Sequence, residues 1–233
     1  MAWLPESVFD VYVRSMELLN LLSLAAPVML KGVGYTLLFA IGAMGGGLLL
    51  GFALALLRIF PATIPARLAA LYVSMIRGTP LLVQIFVIYY GLPSVGIEFS
   101  ALAAGILALS LNSGAYLSES IRGAILGVHK GQWAASFSLG LTYHQTLRHI
   151  IVPQAMRVAV PSMSNTLISL IKDTSLVSVI TVTELMLATK EVIATTFRPL
   201  PLYIAAAAIY WLLSLCFEAI QMRLEARLQR PHQ

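Results

Sequence analysis

Five ionisable residues sit inside runs that are otherwise apolar: Arg77, Glu119, Arg122, Lys172 and Asp173. A charge at membrane depth costs free energy unless it is paired or faces water, so each of these needs a reason to be there. Glu119 and Arg122 lie one helical turn apart, a spacing that suits an i,i+3 ion pair. Lys172 and Asp173 are neighbours, followed by the hydroxyls of Thr174 and Ser175, and Arg77 stands just ahead of Thr79 and Pro80. Asn112 adds a neutral hydrogen-bonding group and Tyr116 an aromatic wall. Cations, carboxylates and hydroxyls in this setting describe either a polar pathway or polar glue between helices.

Catalytic and metal chemistry are not indicated. There is no GxxxxGK[ST] run to cradle nucleotide phosphates. His144 and His149 have no carboxylate beside them, and neither HExxH nor paired cysteines offer a metal site. A solute moved uphill by this chain must draw its energy from a partner.

The composition fits that picture. The 233 residues are 59% hydrophobic and only 11% charged, too apolar for a soluble globular domain. Mean hydropathy is +0.86. This reads as an all-α, polytopic integral membrane protein. The net charge of +5 would suggest nucleic acid in a soluble chain, but here it marks a basic cytoplasmic face. Cys216 is the single cysteine, so no internal disulfide forms. The first residues lack the basic, apolar and cleavage regions of a removable signal peptide.

The elements that must position the charges follow from hydropathy. Residues 1–30 form an N-terminal amphipathic, externally facing segment broken by Pro27. Five spans are expected, at about 34–57, 68–92, 99–121, 158–180 and 202–222, each long enough to cross a core of about 30 Å. Gly47 and Gly51 make a GxxxG pair through which another helix approaches the first span closely. Pro80 is expected to kink the second span and Pro161 the fourth. Residues 226–233 form a tail. Placing the N-terminus outside and the C-terminus inside puts nine basic residues on the cytoplasmic side and four outside, as the positive-inside rule requires.

Between the third and fourth spans lies a polar, helix-compatible break, KGQWAASFSLGLTYHQTLRHIIVP (130–153). Gln132 to Ser138 suits a short helix that Gly140 ends, and Pro153 precedes the next apolar run. The segment suits either a helical knob that docks onto something in the aqueous phase or an amphipathic loop on the headgroups. It resembles the EAA loop of ABC importer permeases: Gly140, Ile150, Val152 and Pro153 fall at the motif's spacings. Ala134 stands in the place of the motif's Glu, followed by Ala135 and Ser136. RGTPLLVQIFVIYYGLP (77–93), AYLSESIRGAILGVHKGQW (115–133) and LISLIKDTSLVSVITVTEL (167–185) resemble the polar amino-acid branch of that family. The resemblance covers about residues 31–225, the permease domain it implies.

The resemblance implies a type I importer permease of an inner (plasma) membrane, with the loop around Gln132, Ala134, Ala135, Gly140 and Pro153 coupling to cytoplasmic ABC ATPase subunits. It implies an external solute-binding protein, a second permease copy, identical or not, and ATP consumed only by the ATPases. An amino-acid substrate needs a cation or donors for its carboxylate and an anion or carbonyls for its ammonium. Arg77 suits the first role and Glu119 or Asp173 the second, with Asn112, Tyr116, Thr174 and Ser175 around them. A self-contained secondary carrier or channel is the alternative, and it predicts an inverted internal repeat that is not visible in the sequence.

Overall fold

The computed structural model describes residues 8–59 and 64–228, and among these all regular structure is helical. The first helix, α1 (Val8–Ile59), runs 52 residues without interruption. At 1.5 Å per residue it is about 78 Å long, far more than the hydrocarbon core, so it projects beyond it. Pro27 lies inside this helix and does not break it, contrary to the sequence expectation. Packing outweighs the lost hydrogen bond. Ala25 and Met29, either side of the proline, are buried against Leu185, Val192, Leu202 and Ala206 of the C-terminal elements.

The second span is broken. Helix α2 (Ile64–Arg77) ends at Gly78, and α3 (Leu81–Phe86) continues through π and 3-10 turns to Val95. The two halves meet at 107°. Pro80 caps α3 in an extended conformation and so forces the chain out of the helix. The kink expected at Pro80 is thus a full break.

Helix α4 (Ala101–Gly127) is the central element, capped by the Ser100 hydroxyl, which accepts from the Ala103 amide. It packs along α1 through small residues. A methyl group placed on Gly51 would lie 2.8 Å from Leu117 Cβ, and one on Gly114 would lie 2.9 Å from Leu50. The expected close approach at Gly47 and Gly51 is therefore made, and α4 supplies the other half of the seam.

Two short helices follow, α5 (Lys130–Ser138) and α6 (Tyr143–Thr146), then α7 (Val152–Asp173). Pro153 sits in the first turn of α7, directly after a π turn over Leu147–Ile151 that accommodates its missing N–H. The fourth span was expected over 158–180, but α7 ends at Asp173 and a 3-10 turn covers Thr174–Ile180. Asp173 is therefore the last residue of its α-helix, and the chain runs on from it as the 3-10 turn. A further helix, α8 (Leu185–Thr196), precedes α9 (Pro199–Leu228).

Among the described residues, three helices are long and apolar enough to cross a membrane, or four if the bent α2–α3 pair is one span. The 22 residues of α7 suffice in length, but Arg157, Asn165, Lys172 and Asp173 dilute its apolarity. Its two faces differ because one packs in the bundle and the other lines a cavity. The main core joins Phe39, Ala108 and Leu109 to Ile85, Ile171 and Val177, so α1, α3, α4 and α7 form one body.

Candidate functional site

The break after Arg77 leaves the last carbonyls of α2 without helical partners. Gln84, buried on α3, supplies them. Its amide donates to the carbonyl oxygens of Ile76 (2.8 Å) and Thr79 (3.1 Å) and to the Thr79 hydroxyl (3.0 Å). Its own oxygen accepts from the Asn112 amide at 3.0 Å. One side chain thus closes the bend and ties it to α4. Tyr72 adds a second tie, donating to the Leu111 carbonyl at 2.9 Å.

The bend opens a cavity of about 590 Å³ lined by α2, the turn, α4 and α7. Arg77, Asn112, Tyr116, Glu119 and Asp173 all reach it, so five residues singled out from the sequence lie around one space. Ser162, Asn165, Thr166 and Ser169 complete a polar wall on α7, at spacings that repeat along one helix face. Thr174 is fully buried with its hydroxyl bonded to the Ile171 carbonyl at 2.8 Å, and neither it nor Ser175 lines this space.

Glu119 is held by arginines from three helices. Arg58 of α1 donates to it at 2.7 Å and Arg122 at 2.8 Å and 3.2 Å, while Arg77 stands at 3.7 Å. The i,i+3 pair with Arg122 is present, but Arg58, in the last turn of α1 and 61 positions from Glu119, is an equal partner. Arg77 keeps 45% of its side chain exposed and lies with its guanidinium 5.4 Å from the Tyr116 ring centroid, a cation–π arrangement. Asp173 forms no ion pair with Lys172 among the described residues; Lys172 is exposed, whereas Asp173 is partly enclosed beside the cavity.

A second cavity of about 370 Å³ shares Glu119, Ser120 and Ser162 with the first and extends to His129 and Gln154. At the neck the Ser120 and Ser162 hydroxyls are 2.7 Å apart, joining α4 to α7. The two cavities together reach from the bend after Arg77 to His129, beside the start of α5.

That segment is ordered by its own bonds. Gly140 has φ +80°, its amide donates to the Phe137 carbonyl and the Leu141 amide to the Ser136 carbonyl, which is a Schellman ending. Thr142 and Gln145 form a reciprocal capping box at the start of α6. Trp133 stacks on Tyr143 with centroids 5.4 Å apart, locking the two short helices together. Burial there raises the Tyr143 phenol above its usual value. Gln132 accepts from Gln154 at 3.4 Å, and Ala134 and Ala135 stand exposed with Phe137 and Leu139. Leu139 is 82% exposed.

Two polar features escaped the sequence reading. Gln84 had a signal, as the one amide in LLVQIFVIYY. The other is Glu184, fully buried at the start of α8, which accepts from the Leu187 amide (3.0 Å) and the Tyr210 hydroxyl (2.6 Å). The close packing of α1 on α8 beside it is possible because residue 32 is glycine: a methyl there would lie 2.9 Å from Ala188 Cβ.

This arrangement has close counterparts. Residues 47–230 match the family model described as the inner membrane component of binding-protein-dependent transport systems. The chain is 45% identical to a probable amino-acid ABC transporter permease protein, YckA, of Bacillus subtilis, over 79% of this chain and 82% of that one. It is 43% identical to the L-cystine transport system permease protein TcyB of the same organism, over 88% of each chain. It is 37% identical to the glutamine transport system permease protein GlnP of Escherichia coli, over 88% of this chain and 94% of that one. Among solved structures, the crystal structure of an amino acid ABC transporter with histidines superposes with a TM-score of 0.83 at 36% identity, covering 87% of this chain and 94% of that one. An inward-facing methionine ABC transporter, MetNI, shares the fold alone, with a TM-score of 0.75 at 19% identity. By the length of the match and the level of identity, the chain belongs to the family of inner-membrane permease components of binding-protein-dependent ABC transport systems.

Proposed function

We propose that this chain is the permease subunit of an ATP-driven importer of polar amino acids, one half of a pore completed by a second permease copy. The observation that carries this reading is the open cavity of about 590 Å³ with polar side chains in its lining, set in a bundle whose long helices are apolar. An amino acid would place its carboxylate toward Arg77 and its ammonium toward Asp173, with Asn112, Tyr116 and Ser169 around it. Thr174, Ser175 and Glu119 would then support the walls without touching the solute.

The α5–α6 knob would be the contact for a cytoplasmic ABC ATPase. It is rigid, and its exposed Phe137 and Leu139 suit a groove on a partner. With the knob in the cytoplasm, the N-terminus would lie outside and the C-terminus in the cytoplasm, and an external binding protein would meet the opposite face. Without Glu at Ala134, the knob would engage through apolar contact and backbone more than through charge. The membrane would be the bacterial inner, or plasma, membrane. Hydrolysis belongs to the ATPase, and no cofactor resides in this chain. Family membership removes the motive for a self-contained carrier.

The reading is tested in proteoliposomes holding the permease, its ATPase and its binding protein. ATP-dependent amino-acid uptake should be abolished by Asp173→Asn while thermal stability in detergent is kept, because Asp173 makes no ion pair within 4.0 Å among the described residues, and the neighbouring Lys172 is exposed to solvent. Unchanged uptake in that variant would remove Asp173 from the pathway.

A further inference from the structure

Seen along the chain, the two carboxylates Glu119 and Asp173 suit a solute with two positive charges as well as one with a single ammonium. The structure separates them. Glu119 already accepts from Arg58 and Arg122 at 2.7–3.2 Å and has Arg77 within 3.7 Å, so its charge is more than neutralised before a solute arrives. Asp173 is then the one lining carboxylate without an ion-pair partner among the described residues. Arg77 is the one lining cation, loosely placed at Glu119 and half-exposed to the cavity beside Tyr116.

From this balance, and resting on the amino-acid reading above, we infer that the site selects an amino acid whose side chain is uncharged. One available anion and one available cation match the ammonium and carboxylate of a zwitterion, leaving neither for the side chain. What remains for the side chain is neutral: the hydroxyls of Ser162, Thr166 and Ser169 and the amide of Asn165. These groups hydrogen-bond a polar uncharged group and offer no counter-charge to a second ammonium or guanidinium. The three guanidiniums gathered on Glu119, of which only Arg77 lines a cavity, outweigh its single negative charge and so oppose a cationic solute passing it toward the second cavity. Selectivity thus comes partly from an element that rejects the wrong charge.

The test uses the detergent-purified complex of the permease with its ATPase and without the binding protein, so that the external partner's own selectivity does not intervene. Equilibrium binding of radiolabelled glutamine, arginine and glutamate is measured. Glutamine should bind, and arginine and glutamate should each bind about tenfold to a hundredfold more weakly, the cost of a charge left without a partner. Ser169→Glu supplies the missing second carboxylate and should bring arginine to within about threefold of glutamine or better. Folding of that variant is checked by its melting temperature in detergent, and Asn165→Asp is a second placement of the same charge. Arginine or glutamate binding to the parent complex as tightly as glutamine would overturn the inference while leaving the site in place. Binding of none of the three to the parent complex would overturn the amino-acid reading itself, and the inference with it.

Discussion

Replacing Glu119 by glutamine removes one negative charge from the centre of three guanidiniums while preserving shape. In the parent, Arg58 and Arg122 each rest on one carboxylate oxygen at 2.7–2.8 Å, and Arg77 approaches at 3.7 Å. The side chains are 13% exposed for Arg58 and 23% for Glu119, enclosed but not dry. Arg58 is the critical partner, because its Nη1 is buried with no hydrogen-bond partner even in the parent. The amide keeps one acceptor and turns an N–H group toward a guanidinium. Stranding a fully buried charge costs about 3–5 kcal/mol, and partial exposure brings the figure here to about 2–3 kcal/mol. For a chain of this size that is a fall of roughly 5–10 °C in melting temperature, read by fluorescence-detected gel filtration in detergent. Arg58→Met in the same molecule removes the stranded cation and should restore about half of the loss. A Glu119→Gln protein that melts within about 2 °C of the parent would refute the energetic argument. So would a double variant that melts below the single one.

The remaining predictions concern the other parts of the path. Gly140→Val forces a β-branched residue to φ +80° and costs about 1–2 kcal/mol, with open space around the position so that no clash is added. ATP hydrolysis by the assembled complex should persist while coupled uptake falls; normal uptake would remove the knob from the coupling path. Gln84→Leu leaves the carbonyls of Ile76 and Thr79 unpaired and should destabilise the protein by about 2–4 kcal/mol, seen as a lower melting temperature. A neutral outcome would mean that the bend is held by other contacts. For the topology, Cys216 is replaced by Ser and Arg227 by Cys; a membrane-impermeant maleimide should label Arg227→Cys only after permeabilisation. Labelling in intact cells would reverse the orientation.

Much of this protein is determined by local and compositional features that a sequence displays. Apolar runs longer than the bilayer is thick must become helices in lipid, since no water remains to satisfy an open backbone. Gly140 after Gln132–Ser138 dictates a left-handed helix ending, and Pro80 after Arg77 marks a departure from helix that the sequence shows only as a kink. The seam at Gly47 and Gly51 follows from the absence of side chains. The list Arg77, Asn112, Tyr116, Glu119 and Asp173 is legible for the same reason: polarity in an apolar run is conspicuous.

Tertiary structure decided what those residues are to one another. Pro27 has the same local cost as Pro80, yet α1 continues through it because Ala25 and Met29 are buried against elements about 160 residues or more downstream. Glu119 and Asp173 are both carboxylates near the ends of apolar runs. Only the approach of Arg58, 61 positions away, makes the first a neutralised hub, and only the lack of such a partner leaves the second available. Gln84 reads as one amide in a hydrophobic stretch until the bend brings the Ile76 and Thr79 carbonyls to it. The physical reason is common to all three. Periodicity and propensity act over a few residues, whereas electrostatic pairing and burial depend on distances in space, which the chain sets only once it has packed.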